Sequence, residues 1–127
     1  MNLALWIVTG LLAVVMVVGG TTKLFIPREK LAATTHGGWT NDFSDGFVKT
    51  LGAVEFLAAI GIVVPAVVNI ATFMVPVTAV CWVLLMIGAM ITHLRRQEKL
   101  PVAANLIYLA MAAFVAWGRF GPESFTG

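Results

Sequence analysis

Five side chains sit where an apolar chain tolerates them least. Lys23 and Glu55 are ionisable residues inside long hydrophobic runs, Asn105 and Tyr108 lie one helical turn apart in another, and His93 closes a further one. A charge near the centre of a bilayer costs about 2.5–3.5 kcal/mol on insertion scales, so such residues find partners and are functional suspects by default. An amine beside a carboxylate can orient a ligand or handle protons, and it can equally be an ion pair that fixes helix register; the sequence leaves both open. Asn105 and Tyr108 can bond a polar head or simply bridge helices. His93 has the ring chemistry of a proton carrier, although beside Arg95 and Arg96 its plainest role is to face lipid headgroups. Cys81, among apolar neighbours, has nothing to activate its thiol.

The elements that hold these residues follow from composition. Of 127 residues, 60% are hydrophobic and 11% charged, with 8 basic and 6 acidic side chains and a mean hydropathy of +0.96. A soluble domain carries about 25% charged residues, so this chain cannot clothe a water-exposed surface, and the lipid bilayer is its expected solvent and first partner. The net charge of +2 comes from basic residues in the connections between apolar runs. These form no stripe or groove, which argues against nucleic acid. A single cysteine leaves no dithiol centre.

Four apolar runs, 3–26, 47–64, 70–92 and 101–118, predict an all-α integral membrane bundle of four transmembrane helices in a single unit spanning 1–127. The first reaches about 36 Å, enough to cross with some tilt. It lacks a basic n-region and is too long for a secretory signal core, so it reads as a retained helix. Pro65 is expected to end the second helix, Pro76 to sit inside the third and kink it, and Pro101 to open the fourth at little cost. The stretch from Pro27 to Gly46 is expected to form a long loop between the first two spanning helices. Within it, Arg28 to Ala32 can start a short interfacial helix, the His36–Trp39 segment can turn the chain back, and Ser44 or Asp45 can cap the second span.

Four spans place both termini on one side. Arg28, Lys30, Lys49, Arg95, Arg96 and Lys99 gather on the other, against Arg119 alone at the terminal side. The positive-inside rule then makes the two basic connections cytoplasmic and both termini external. Trp6 and Trp117 mark the outer interface, where Arg119 is expected to snorkel.

Helical spacing predicts the inward faces. Thr9, Ala13, Met16, Gly20 and Lys23 form a stripe of mostly small residues in the first helix, and Gly52, Glu55 and Ala59 form one in the second. Met74, Thr78, Cys81, Leu85, Gly88 and Thr92 do so in the third, and Pro101, Asn105, Tyr108, Ala112, Val115 and Arg119 in the fourth. Small residues permit close helix approach and polar ones bond across helices. Lys23, Glu55, Thr92, Asn105 and Tyr108 can thus converge on one polar pocket near His93. The spacing of His36, His93, Asp42 and Asp45 matches no zinc or calcium pattern, so neither a metal nor any other intrinsic cofactor is expected.

These residues carry a family resemblance. The first helix ends in Gly19, Gly20, Thr21, Thr22, Lys23, Leu24 and Phe25, followed by Lys30 and Leu31. Trp39, Phe43, the run Phe47 to Lys49, then Leu51 to Glu55, and the exit at Pro65 come next. Gly88 to Met90, Thr92 to Arg96, Asn105 and Ala116 to Phe120 complete the series. In order and spacing this resembles the DoxX-like membrane proteins. The resemblance implies a four-helix inner-membrane protein. Its relatives include membrane subunits of quinone-linked oxidoreductases, partners of detoxifying redox enzymes and, more distantly, assembly factors. Lys23 and Glu55 are then the family's intramembrane charges, and a quinone is the expected ligand.

Two readings follow. In the first, the chain is a non-catalytic membrane subunit or accessory protein of a redox system, working beside other membrane or cytoplasmic subunits or as a homo-oligomer. Lys23, Glu55, Asn105, Tyr108 and His93 then hold a quinone-like or other lipophilic molecule. In the second it is an assembly protein without a small ligand, docking a partner through Trp39, Asp42 and Phe43. Whether it catalyses a reaction itself is not written in the sequence.

Overall fold

The computed structural model describes residues 2–34 and 37–123. In chain order they form α1 (Asn2–Phe25), α2 (Arg28–Ala32), a 3-10 turn (Gly38–Asp42), α3 (Asp45–Val68), α4 (Met74–Arg95) and α5 (Lys99–Phe120), with no strand among the described residues. Four of these are long and apolar enough to cross a membrane. At 22–24 residues each they extend about 33–36 Å, slightly more than the hydrocarbon thickness of roughly 30 Å. Their outward faces are as apolar as their inward ones: Leu3, Ile7, Leu11, Val14 and Val18 are exposed on α1, opposite buried Leu5, Thr9, Leu12, Met16 and Gly20. A helix apolar all round has lipid as its solvent.

α1 packs along α3 and α4 along α5, while the α3–α4 and α1–α5 contacts that close the ring are sparser. α1 and α3 touch at Gly20 and Gly52. A Cβ on Gly20 would lie 2.8 Å from the Gly52 carbonyl oxygen, and one on Gly52 would lie 2.9 Å from the Gly20 carbonyl oxygen. α5 meets α1 at Gly118, where a Cβ would stand 2.5 Å from Leu5. Between the pairs lies a core of Leu12, Met16, Ile62, Val75, Trp82 and Val115.

Several expectations are corrected. The 26–44 connection between the first two spanning helices is not a continuous loop: α2 forms at Arg28–Ala32, where a short helix was expected, and packs on the 3-10 turn. His36, expected in the turn-back, lies outside the described residues. Ser44 is the cap, its side chain accepting from Phe47 N at 3.1 Å. Pro65 does not end α3. Its carbonyl instead accepts the bonds that close the last turn, from Asn69 and from Ile70, and Asn69 stops the helix in the left-handed region at φ 56. α4 begins at Met74, not Ile70, which puts Pro76 in its first turn, where a missing N–H breaks no helical bond and causes no kink.

The inward face of α4 is wider than the expected stripe: Thr78 is buried together with Val75, Ala79, Trp82 and Met86, and Leu85, Gly88 and Thr92 line a cavity, whereas Met74 and Cys81 are exposed. Arg119, at the end of α5, is 4% exposed, donates to Asn2 Oδ1 at 2.8 Å and to the Glu123 carbonyl at 3.0 Å, and lies over the Trp6 ring at 5.6 Å.

Candidate functional site

Lys23 and Glu55 face each other where Gly20 and Gly52 bring α1 against α3. Lys23 Nζ stands 2.7 Å from Glu55 Oε2, close enough for opposite charge to hold the pair. Gly19 makes room for it: a Cβ there would sit 3.3 Å from Glu55 Oε1 and 3.5 Å from Lys23 Nζ. Because α3 starts at Asp45 and runs for 24 residues, Glu55 lies about 15 Å along the helix, near its middle. At such a depth the partner offsets a large desolvation penalty, and removing either one leaves an uncompensated charge.

The pair forms the floor of a cavity of about 350 Å³ between α3, α4, α5 and the connector. Its lining is mostly apolar and aromatic: Trp39, Phe43, Phe47, Leu51, Leu85 and Met86 stand around Lys23, Glu55, Thr92, His93 and Asn105. Trp39, carried on the 3-10 turn, covers the connector side. Lys23 Nζ lies 5.8 Å from its ring centre, within cation–π range. Its edge meets His93 at 6.4 Å and Phe43 at 6.0 Å, and Phe43 stacks on Phe47 at 4.7 Å.

Polar contacts fasten that cover. Arg28 Nη1 donates to the Phe43 carbonyl at 2.8 Å, and Lys49 Nζ donates to the Leu24 carbonyl at 3.1 Å. Arg96 Nη1 donates to Asp42 Oδ2 at 3.0 Å, and Arg96 Nε lies 3.4 Å from Glu98 Oε1. The same Glu98 oxygen is 2.8 Å from His93 Nδ1. An ionised carboxylate only accepts, so Nδ1 carries a proton in that contact.

Of the residues singled out by sequence, Lys23, Glu55, His93, Asn105, Trp39 and Phe43 thus line one cavity. Tyr108 does not join them; it packs against the hydrophobic core. Asp42 is exposed at the rim and paired with Arg96. The Asn105 side-chain nitrogen is buried and has no hydrogen-bond partner. Sequence reasoning missed Glu98 and Arg96 as the groups that tie His93 and Asp42, and missed Gly19 as the space for the ion pair. The tandem Gly19–Gly20 one turn before Lys23 was the available signal. Among the described residues no three His, Cys, Asp or Glu side chains gather as a metal site would require.

Four spanning-length apolar helices enclosing a polar centre define an integral membrane four-helix bundle. The chain belongs to the DoxX-like family, whose family model matches residues 7–115. No curated protein and no solved structure matches it.

Proposed function

We propose that this protein is a membrane accessory subunit that holds a neutral, carbonyl-bearing lipophile, a quinone or a molecule of like chemistry, in the cavity floored by Lys23 and Glu55. The carrying observation is the buried, unpartnered Asn105 amide nitrogen in a cavity whose other walls are largely apolar. A buried donor left unpaired costs about 1–3 kcal/mol, and a ligand carbonyl oxygen would satisfy it. Lys23 and Glu55 neutralise each other, so the pocket favours a dipolar head over a charged one. The volume sits at the low end of small-molecule pockets and suits a ring or compact head between aromatic side chains.

The chain carries no dithiol pair, so any electron transfer belongs to partner subunits, and the role here is to bind and orient. The basic connector residues support a cytoplasmic placement of the 26–44 and 96–98 segments in an inner membrane. A docking role for Trp39, Asp42 and Phe43 draws less support, because Trp39 and Phe43 are turned to the cavity and Asp42 to Arg96.

Native mass spectrometry of the detergent-released protein tests the reading. A lipophilic adduct of small mass on the wild type, lost in Asn105→Leu, is the expected result. A bare wild-type chain that also fails to take up added decylubiquinone would overturn it.

A further inference from the structure

The two helix pairs approach each other differently at their two ends. Near the turn between them, α3 and α4 are in close contact: a Cβ on Gly61 would lie 2.7 Å from Thr78 Oγ1. About 15 Å further along α4, a Cβ on Gly88 would meet nothing within 4 Å. Gly88 is exposed and also lines the cavity. So do Leu84, 64% exposed on α4, and Phe47, 47% exposed on α3. The α3–α4 seam is therefore closed at the Gly61–Thr78 end and parted beside the cavity.

The cavity's other boundaries are built differently. Towards α1, the Gly20–Gly52 contact and the ion pair shut it. Towards the connector, Trp39 lies across Lys23 and His93, and the Arg96–Asp42 pair holds its segment down. The residues both exposed and lining the cavity that mark the parted seam, Phe47, Leu84 and Gly88, are all apolar or without a side chain. Such a border faces hydrocarbon without loss, while an aqueous mouth would gain from polar rims.

We infer that the parted α3–α4 seam at Gly88 is a lateral opening through which an amphiphile dissolved in the bilayer reaches the cavity. Its head lies at Asn105 and the Lys23–Glu55 pair, and its alkyl or prenyl tail lies between Phe47 and Leu84 and continues into the lipid. A cavity of about 350 Å³ holds a head and a few carbons, so a longer tail has to leave it, and this is the apolar way out. The path of the tail rests on the cavity being the binding site proposed above; the opening itself does not.

Carbene photolabelling reads the opening directly. The protein is placed in phosphatidylcholine vesicles containing an aryl diazirine that partitions into hydrocarbon, irradiated, and mapped by peptide mass spectrometry. Label is expected on the cavity residues Glu55 and Leu85 as well as on lipid-facing Leu57 and Val80. Gly88→Phe, whose Cβ would meet nothing within 4 Å and whose ring is to fill the mouth, should abolish label at Glu55 and leave it at Leu57. Gly88→Ala should label as the wild type does, and Arg96→Ala should change nothing at Glu55. If Gly88→Phe does not give a folded protein, Leu84→Trp at the same mouth serves in its place.

Label at Glu55 that survives plugging of the mouth, or that responds to Arg96→Ala alone, would overturn the inference. So would a wild type labelled only on its outer faces. The diazirine needs no hydrogen bond from Asn105. Interior labelling in a protein that binds no quinone would sink the proposed function and leave the opening standing.

Discussion

Lys23 Nζ lies 2.7 Å from Glu55 Oε2 because Gly20 and Gly52 remove the side chains that would otherwise hold α1 and α3 apart. Two charges that are individually costly in a bilayer become one compact dipole at the floor of an apolar cavity. The pair is thus at once a packing device and the most polar surface available to a ligand, and the two roles separate experimentally.

Single replacements, Lys23→Met or Glu55→Leu, should each destabilise the bundle by about 3–5 kcal/mol, since each strands a buried charge. The double variant should recover most of that loss, since replacing a buried pair by apolar residues is often neutral. Thermal unfolding in one detergent checks this. A double variant as unstable as the worse single would show that the pair is not the relevant interaction.

Gly52→Ala should loosen the α1–α3 contact. Its Cβ would lie 2.7 Å from Lys23 Cβ and 2.9 Å from the Gly20 carbonyl oxygen, and overpacking of this kind costs about 1–3 kcal/mol. Gly88→Ala, with open space around it, should be neutral or gain up to about 1 kcal/mol from helix propensity. The two melting temperatures should move in opposite directions or differ clearly in size.

Arg96→Ala removes the rim contact with Asp42. Both side chains are substantially exposed, 32% and 52%, so global stability should change by less than about 1 kcal/mol. The effect should be local: limited proteolysis should cut the 26–44 connector faster than in the wild type. Unchanged cleavage would mean that Arg28 and Trp39 hold the segment without help.

Cys81 is exposed on a spanning stretch of α4. A charged maleimide should leave it unmodified in intact vesicles and label it after unfolding in strong detergent. Ready labelling in intact vesicles would contradict the placement of α4 in lipid.

The faces of α1 and α3 were legible in the sequence because each carries one charge well inside its apolar run, Lys23 three residues after Gly20 and Glu55 three after Gly52, and a bilayer gives such residues only one direction to face. On α4 the same logic holds only in part: Thr78 is buried and Thr92 lines the cavity while donating to the Gly88 carbonyl of its own helix at 3.0 Å, but Cys81 has little polarity to hide and does not report the inward side. Trp82, large and apolar over most of its surface, takes the core position instead. The start of α4 was hidden by Ile70 and Phe73, which continue the apolar run although Asn69 and Ala71 turn the chain at φ 56 and 51.

The candidate site was legible as a set of residues and not as an enclosure. The convergence of Lys23, Glu55, His93 and Asn105 follows from helical spacing. The cover formed by Trp39, the tether from Arg96 and the departure of Tyr108 into the core depend on the connector and on packing, which spacing alone does not encode.

The central claim is tested most directly by titrating purified wild type and Asn105→Leu, in lipid nanodiscs, with decylubiquinone. Saturable one-to-one binding to the wild type, lost or weakened by roughly tenfold or more in Asn105→Leu, matches the loss of one buried hydrogen bond. Equal affinity in both proteins, or no binding to a folded wild type, would contradict the claim that the Asn105 amide and its cavity hold a carbonyl-bearing lipophile.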